Sequence, residues 1–164
     1  MRTAMLLLGL SAGVLVGSLA EYWVHRLQHW RLFKAADHAE HHVQNAPRSW
    51  REEYWAYVKP GAAPALLVAG LWYLLSAEAS AGWVIGTLGY GAFSAFTHEL
   101  QHTDPNLLFW TRPVHYFHHK HNQWEHNFAF ATTVWDRLFG TFKDDPEWQR
   151  NKVPLVRIFS IKWF

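Results

Sequence analysis

One histidine pattern occurs twice in the chain and constrains its fold more than any other feature. The first copy is His25-Arg-Leu-Gln-His29 followed by His38-Ala-Glu-His41-His42; the second is His98-Glu-Leu-Gln-His102 followed by His115-Tyr-Phe-His118-His119. Ten of the twelve histidines fall in these four boxes, and His121 and His126 follow the last of them within seven residues. Side chains at i and i+4, or at i, i+3 and i+4, project from one face of a helix, so each box is predicted to present two or three imidazoles toward a common point. Neutral imidazole suits iron, zinc, copper and nickel. A structural zinc is satisfied by four ligands and a catalytic zinc by about three. Ten imidazoles are too many for one ion, whereas two ions with about four or five nitrogens each use the supply, which predicts a dinuclear centre.

The rest of the chain is strongly apolar, with half its residues hydrophobic and eleven tryptophans. Three apolar segments stand out: residues 3–24, 61–77 and 79–97. The first and third approach the roughly 20 residues needed to cross a bilayer. The second is short, and Trp50, Tyr54, Trp55 and Tyr57 before it are expected to form an interfacial belt. There are no cysteines, which excludes disulfides, iron–sulfur clusters and thiolate zinc sites. A net charge of +2 is too small to argue for nucleic-acid binding.

Basic residues set the expected orientation. Six of the fifteen lie between Arg26 and Lys59, eight between Arg112 and Lys162, and only Arg2 elsewhere, while the turn predicted at Ala77 to Ala81 carries the single charge Glu78. The positive-inside rule then puts both basic regions, and all four histidine boxes, on the cytoplasmic side. Ser18-Leu19-Ala20 resembles a signal-peptide cleavage site, but cleavage there would detach the first helix just before His25. A retained helix is expected instead, because Gly9, Gly13, Gly17, Glu21, His25 and His29 form a stripe at spacing four. Gly82, Gly86, Tyr90, Ser94, His98 and His102 repeat it. Small residues let two such helices pack closely while the ends of the stripes deliver histidines.

The fold class expected is therefore all-α: one integral-membrane domain over residues 1–164, with about three membrane segments and a cytoplasmic helical cap, 25–59 and 98–164, holding the dinuclear site. Pro60 and Gly61 mark the start of the membrane hairpin, and Pro105 and Pro113 interrupt the stretch between the third and fourth boxes.

The order of the boxes, followed by Asn127-Phe128 and Trp135-Asp136-Arg137-Leu138-Phe139-Gly140-Thr141, resembles the fatty acid hydroxylase/sterol desaturase superfamily. The similarity runs from about residue 21 to 143, and the chain's short length is similar to that of bacterial β-carotene hydroxylases. The resemblance implies a membrane-bound non-haem di-iron oxygenase of a bacterial inner membrane. It would hydroxylate or desaturate an unactivated C–H bond of a fatty acyl, sterol, hopanoid or carotenoid lipid with O2 and two electrons. It also implies His25, His29, His38, His41, His42, His98, His102, His115, His118 and His119 as ligands of two iron ions, with zinc as a possible substitute. Glu21, Asp37, His121 and His126 are candidates to orient those ligands. No nucleotide, haem or flavin motif is present, so electrons are expected from a partner such as a ferredoxin or a cytochrome b5-type protein, docking on the basic cap.

Two other readings compete. His98-Glu99-Leu100-Gln101-His102 matches the H-E-x-x-H signature of zinc metalloproteases, with Glu99 as general base. The same frame at His25 to His29 carries Arg26 in the glutamate position, so the shared element is the histidine pair. A non-enzymatic membrane metal-binding or transport protein would need ionisable residues within its spans. Residues 62–97 offer only Glu78 and tyrosines. Asp136 and Arg137 are expected to tie the cap together, and Trp50, Trp55 and Trp124 to act as anchors or packing.

Overall fold

The computed structural model describes residues 1–46, 48–152 and 157. Expectations that fall on residues 153–156 and 158–164, including Lys162 and the end of the cap, lie outside the described residues. Among those described, every regular element is helical: α1 (Arg2–His29), α2 (Ala35–Gln44), α3 (Trp50–Leu75), α4 (Ala77–Thr103), a 3-10 turn (Pro105–Leu107), α5 (Val114–Lys120) and α6 (Val134–Leu138). The chain forms two compact units, Met1–Trp23 with Arg48–Phe96 and Val24–Pro47 with Thr97–Phe164.

In the first unit the glycine stripes of α1 and α4 interlock. A Cβ on Gly9 would fall on the Ala79 carbonyl, and one on Gly82 on the Leu6 carbonyl. Gly13 and Gly86 likewise face the backbone at Trp83 and Leu10. The two backbones therefore touch directly, as small-residue stripes allow. Helix α3 is tied to α4 by Ser80 Oγ donating to the Ala69 carbonyl (2.9 Å) and Trp83 Nε1–H donating to the Ala65 carbonyl (3.0 Å).

Helix α3 begins at Trp50 and runs without a break into the segment expected to enter the membrane at residue 61. A capping box explains it: the Ser49 side chain accepts from the Glu52 N–H, and the Glu52 carboxylate accepts from the Ser49 N–H at 3.1 Å. The helix then runs through Pro60 and Pro64, leaving the Ala56 and Pro60 carbonyls without their usual helical donors. Trp50, Tyr54, Trp55 and Tyr57 accordingly lie on its first turns. The turn between α3 and α4 is the single residue Ser76, whose hydroxyl accepts from the Ala79 N–H, and the expected turn at 77–81 is the start of α4.

Two helices, α1 and α3, are long and apolar enough to cross a membrane. They leave large aliphatic side chains uncovered, among them Leu7, Leu8 and Leu15 on α1 and Leu66, Leu67, Leu71, Leu74 and Leu75 on α3. A buried helix of a soluble core would hide these residues. At 27 residues α4 is as long, but its Gly, Ser and Thr content lowers its hydropathy.

The second unit contains the last turns of α1 and α4 with α2, α5 and α6. Beyond α4 the described chain is less helical than the expected cap. Pro105, Pro113 and Pro146 interrupt it, and Asn122, Asn127 and Gly140 take left-handed φ angles that end helices or turn the chain. Helix α2 is bounded by Lys34 and Asn45, also left-handed.

Candidate metal centre

The second unit gathers the four boxes. Box one ends α1, box two lies on α2, box three is near the end of α4 and box four is on α5. Their ligand atoms form two groups, each with all its atoms within 4.8 Å of one another: His25, His29, His38, His42 and His118 in the first, and His41, His98, His102 and His115 in the second. His119 is in neither, yet its ring lies 4.5 Å from that of His102 and 4.6 Å from that of His115, with its Nε2 buried and unpartnered.

The boxes do not each serve one group. The i, i+4 pairs stay together, His25 with His29 and His38 with His42 in the first group, and His98 with His102 in the second. The remaining histidine of each second box crosses over: His41, from the first repeat, joins the second group, and His118, from the second repeat, joins the first. Successive helical residues point about 100° apart, so His41 and His42 face different centres.

In the first group the Nε2 atoms converge. Their separations are 2.8 Å for His38–His29, 3.0 Å for His118–His29, 3.1 Å for His42–His38, 3.2 Å for His118–His42 and 3.3 Å for His29–His25. In the second, His102 and His115 Nε2 are 3.1 Å apart. Imidazoles bound at right angles to one ion at about 2.1 Å would place their nitrogens about 3.0 Å apart, so the donors fit a first-row metal.

Two rings of the first group are fixed by main-chain acceptors. His25 Nδ1–H donates to the Phe128 carbonyl at 2.6 Å and His118 Nδ1–H to the His126 carbonyl at 2.7 Å. A carbonyl only accepts, so Nδ1 carries the hydrogen and a neutral ring turns its Nε2 lone pair toward the group. Asp136 holds this segment, accepting from the N–H groups of Phe128 (2.8 Å) and Ala129 (3.0 Å) and from Thr141 Oγ1 (2.8 Å). Gln101 serves the other side: its Nε2 donates to the Phe130 carbonyl at 2.7 Å and its Oε1 accepts from the His115 N–H at 2.9 Å. The carbonyls of residues 126, 128 and 130 thus receive His118, His25 and Gln101 in turn. The Phe130 ring packs on His25 and also on His98 and His115.

The family model for fatty acid hydroxylase matches residues 10–141. The chain belongs to the fatty acid hydroxylase family. No curated protein and no solved structure gives a significant match. With its apolar helices, family membership makes the chain a membrane protein of hydroxylase or desaturase type.

In this family member burial keeps the imidazoles uncharged. Burial first, and repulsion from neighbouring rings second, hold His38 at about 2 and His42 at about 4, against an ordinary value of 6.5. His115 and His118 are pushed far below it for the same reasons. Neutral rings are the form that binds metal.

The four residues expected to orient ligands divide. His126 does so through its carbonyl. His121 Nε2 pairs instead with the buried carboxylate of Asp145 at 2.9 Å, which Lys120 also reaches. Asp37 is exposed in the first turn of α2, and Glu21 accepts hydrogen bonds from Tyr90 and Ser94 in the first unit. Asp136 ties the cap as expected, and Arg137 stacks on Phe142, its guanidinium 3.9 Å from the ring centroid. Trp124 lies against His29 and His42, packing on the first group. Sequence reasoning missed Gln101, Phe130 and the carbonyl of Phe128.

Proposed function

We propose that the protein is a membrane-bound di-iron hydroxylase or desaturase acting on a lipid chain with O2 and two externally supplied electrons. The observation that carries this reading is the pair of imidazole groups, each able to hold one ion, in a chain of the fatty acid hydroxylase family. When bound, the iron pair would supply O2 reduction and the oxidising power needed for an unactivated C–H bond. The histidines in the two groups, with His119 beside the second, would hold it. His25 and His118 keep their Nε2 lone pairs presented, Asp136 and Gln101 keep the supporting loop in register, and Phe130 shields both groups from water. Three membrane segments, with the histidines facing the cytoplasm and the electron donor, complete the reading.

A single zinc protease centre at His98-Glu99-x-x-His102 would leave the first group without a role. The test is metal content of detergent-purified protein from iron-supplemented cells. About two ions per chain with iron present, one for each group, is the expected result. About one zinc and no iron would overturn it and direct attention to Glu99→Gln.

A further inference from the structure

Three near-parallel rings lead from the surface of the second unit to its two histidine groups. The Trp124 indole stacks on His42, with ring centroids 5.5 Å apart and planes 20° apart, and meets His29 nearly at right angles at 5.0 Å. His42 in turn stacks on His119, 4.2 Å away with planes 14° apart. His119 lies 4.5 Å from His102, so contacts running from Trp124 through His42 and His119 reach from the first group to the second. Phe128 and Phe130 also pack on histidine rings of the two groups, yet they are 1% and 7% exposed, whereas Trp124 is 47% exposed. An aromatic ring that served only to cover the histidines would gain most by being buried as those two are. Trp124 instead touches the histidines on one side and solvent on the other.

We propose that Trp124 is the electron-entry residue of the metal centre, the point at which a reduced one-electron carrier passes its electrons inward. The proposal rests on the di-iron reading and adds to it the place where the externally supplied electrons arrive. Electron tunnelling weakens steeply with distance and is carried best by atoms in contact. A carrier touching the indole is therefore coupled through His42 and His29 to the first group, and through the stack of His42 on His119 to the second. Each transfer takes one electron from the carrier and turns one ferric ion ferrous, while the indole ends unchanged and no proton moves on it. Two such transfers supply the two electrons. Redox partners meet over small interfaces, and tryptophan is among the side chains that anchor protein contacts, so one exposed indole is a sufficient landing point.

The chain has no cysteine, so one introduced cysteine takes a single label. A ruthenium tris-bipyridyl photoreductant is attached at Glu125→Cys, next to Trp124, or at Thr103→Cys, next to His102, both positions being exposed. Reduction of the iron-loaded full-length protein in lipid nanodiscs is timed by transient absorption after a laser flash, with iron counted on every sample. From the label at 125, Trp124→Leu should slow electron arrival at least about tenfold, the low end of what changing a residue beside a ligand costs, and Trp124→Phe should restore most of the rate by keeping a ring in the stack. From the label at 103 both variants should leave the rate unchanged, because Thr103 adjoins His102 and Trp124 is not on that path. Equal slowing from both labels, or loss of iron in Trp124→Leu, would show that Trp124 only holds the histidines in place and would overturn the proposal. An unchanged rate from the label at 125 would overturn it too. These failures, on unsubstituted protein with its iron bound, leave the di-iron reading standing; no iron in the unsubstituted protein would remove the reading and this inference together.

Discussion

The first histidine group holds His25 and His118 through their own ring nitrogens, each Nδ1 bound to a main-chain carbonyl, whereas in the second group His115 has a buried Nδ1 without a partner and is placed through its backbone N–H on Gln101. The two groups share one sequence recipe but differ at these rings: orientation is fixed at His25 and His118, helix position at His115. A ring with its outer nitrogen committed has a set tautomer before metal arrives. A ring placed only by its helix gains its final orientation from the ion. The first group should therefore be the more ordered of the two without metal, and the second the more dependent on it.

The largest effects should come from the crossed-over ligands. His118→Ala is expected to lose the ion of the first group and keep the second, and His41→Ala the reverse, each halving metal per chain. Both should lower lipid oxidation by more than about 100-fold, beyond what loss of a supporting residue costs. Loss of both ions from either variant, by elemental analysis, would break the comparison.

Next come the supports. Asp136→Asn should weaken metal binding about 10–100-fold at the first group and little at the second, because it loosens the segment that carries the Phe128 carbonyl. Gln101→Met should show the opposite preference. Chelator competition resolving two affinities measures both, and equal weakening at the two groups would mean that the supports are shared.

Acidification acts on both groups. His38 and His42 have folded values below their unfolded 6.5, so the unfolded chain binds more protons and stability rises with pH. The metal-free protein should keep this contribution above pH 6.5 and lose it progressively as pH falls toward about 4 for His42 and about 2 for His38. A thermal midpoint that stays flat between about pH 7 and 5 would contradict neutral buried rings. The smallest effect on metal belongs to His121→Ala, which removes one partner of Asp145 while Lys120 keeps its own bond to that carboxylate, and should leave both ions bound.

Side-chain periodicity made much of this readable from sequence. The i, i+4 histidine pairs and the glycine stripes of α1 and α4 depend on helical spacing alone, and both are in place. The start of α3 was written as Ser49-x-x-Glu52, a capping box that outweighed Pro60 and Gly61 as a boundary. The supports at residues 126, 128 and 130 act through carbonyls, which every residue possesses, so no residue type marks them. The division of His38, His41 and His42 between two groups depends on where a second centre lies, which spacing along one helix does not encode.

The exchange of His41 and His118 bears on how the protein is made. The first four histidines of the first group have left the ribosome long before His118 does, and the second group borrows a ligand from the opposite end of the chain. Neither half of the gene encodes a full set of either group's ligands. Complete filling of either group would therefore wait until synthesis has passed the last repeat, and a product truncated before His115 would carry neither full set of ligands.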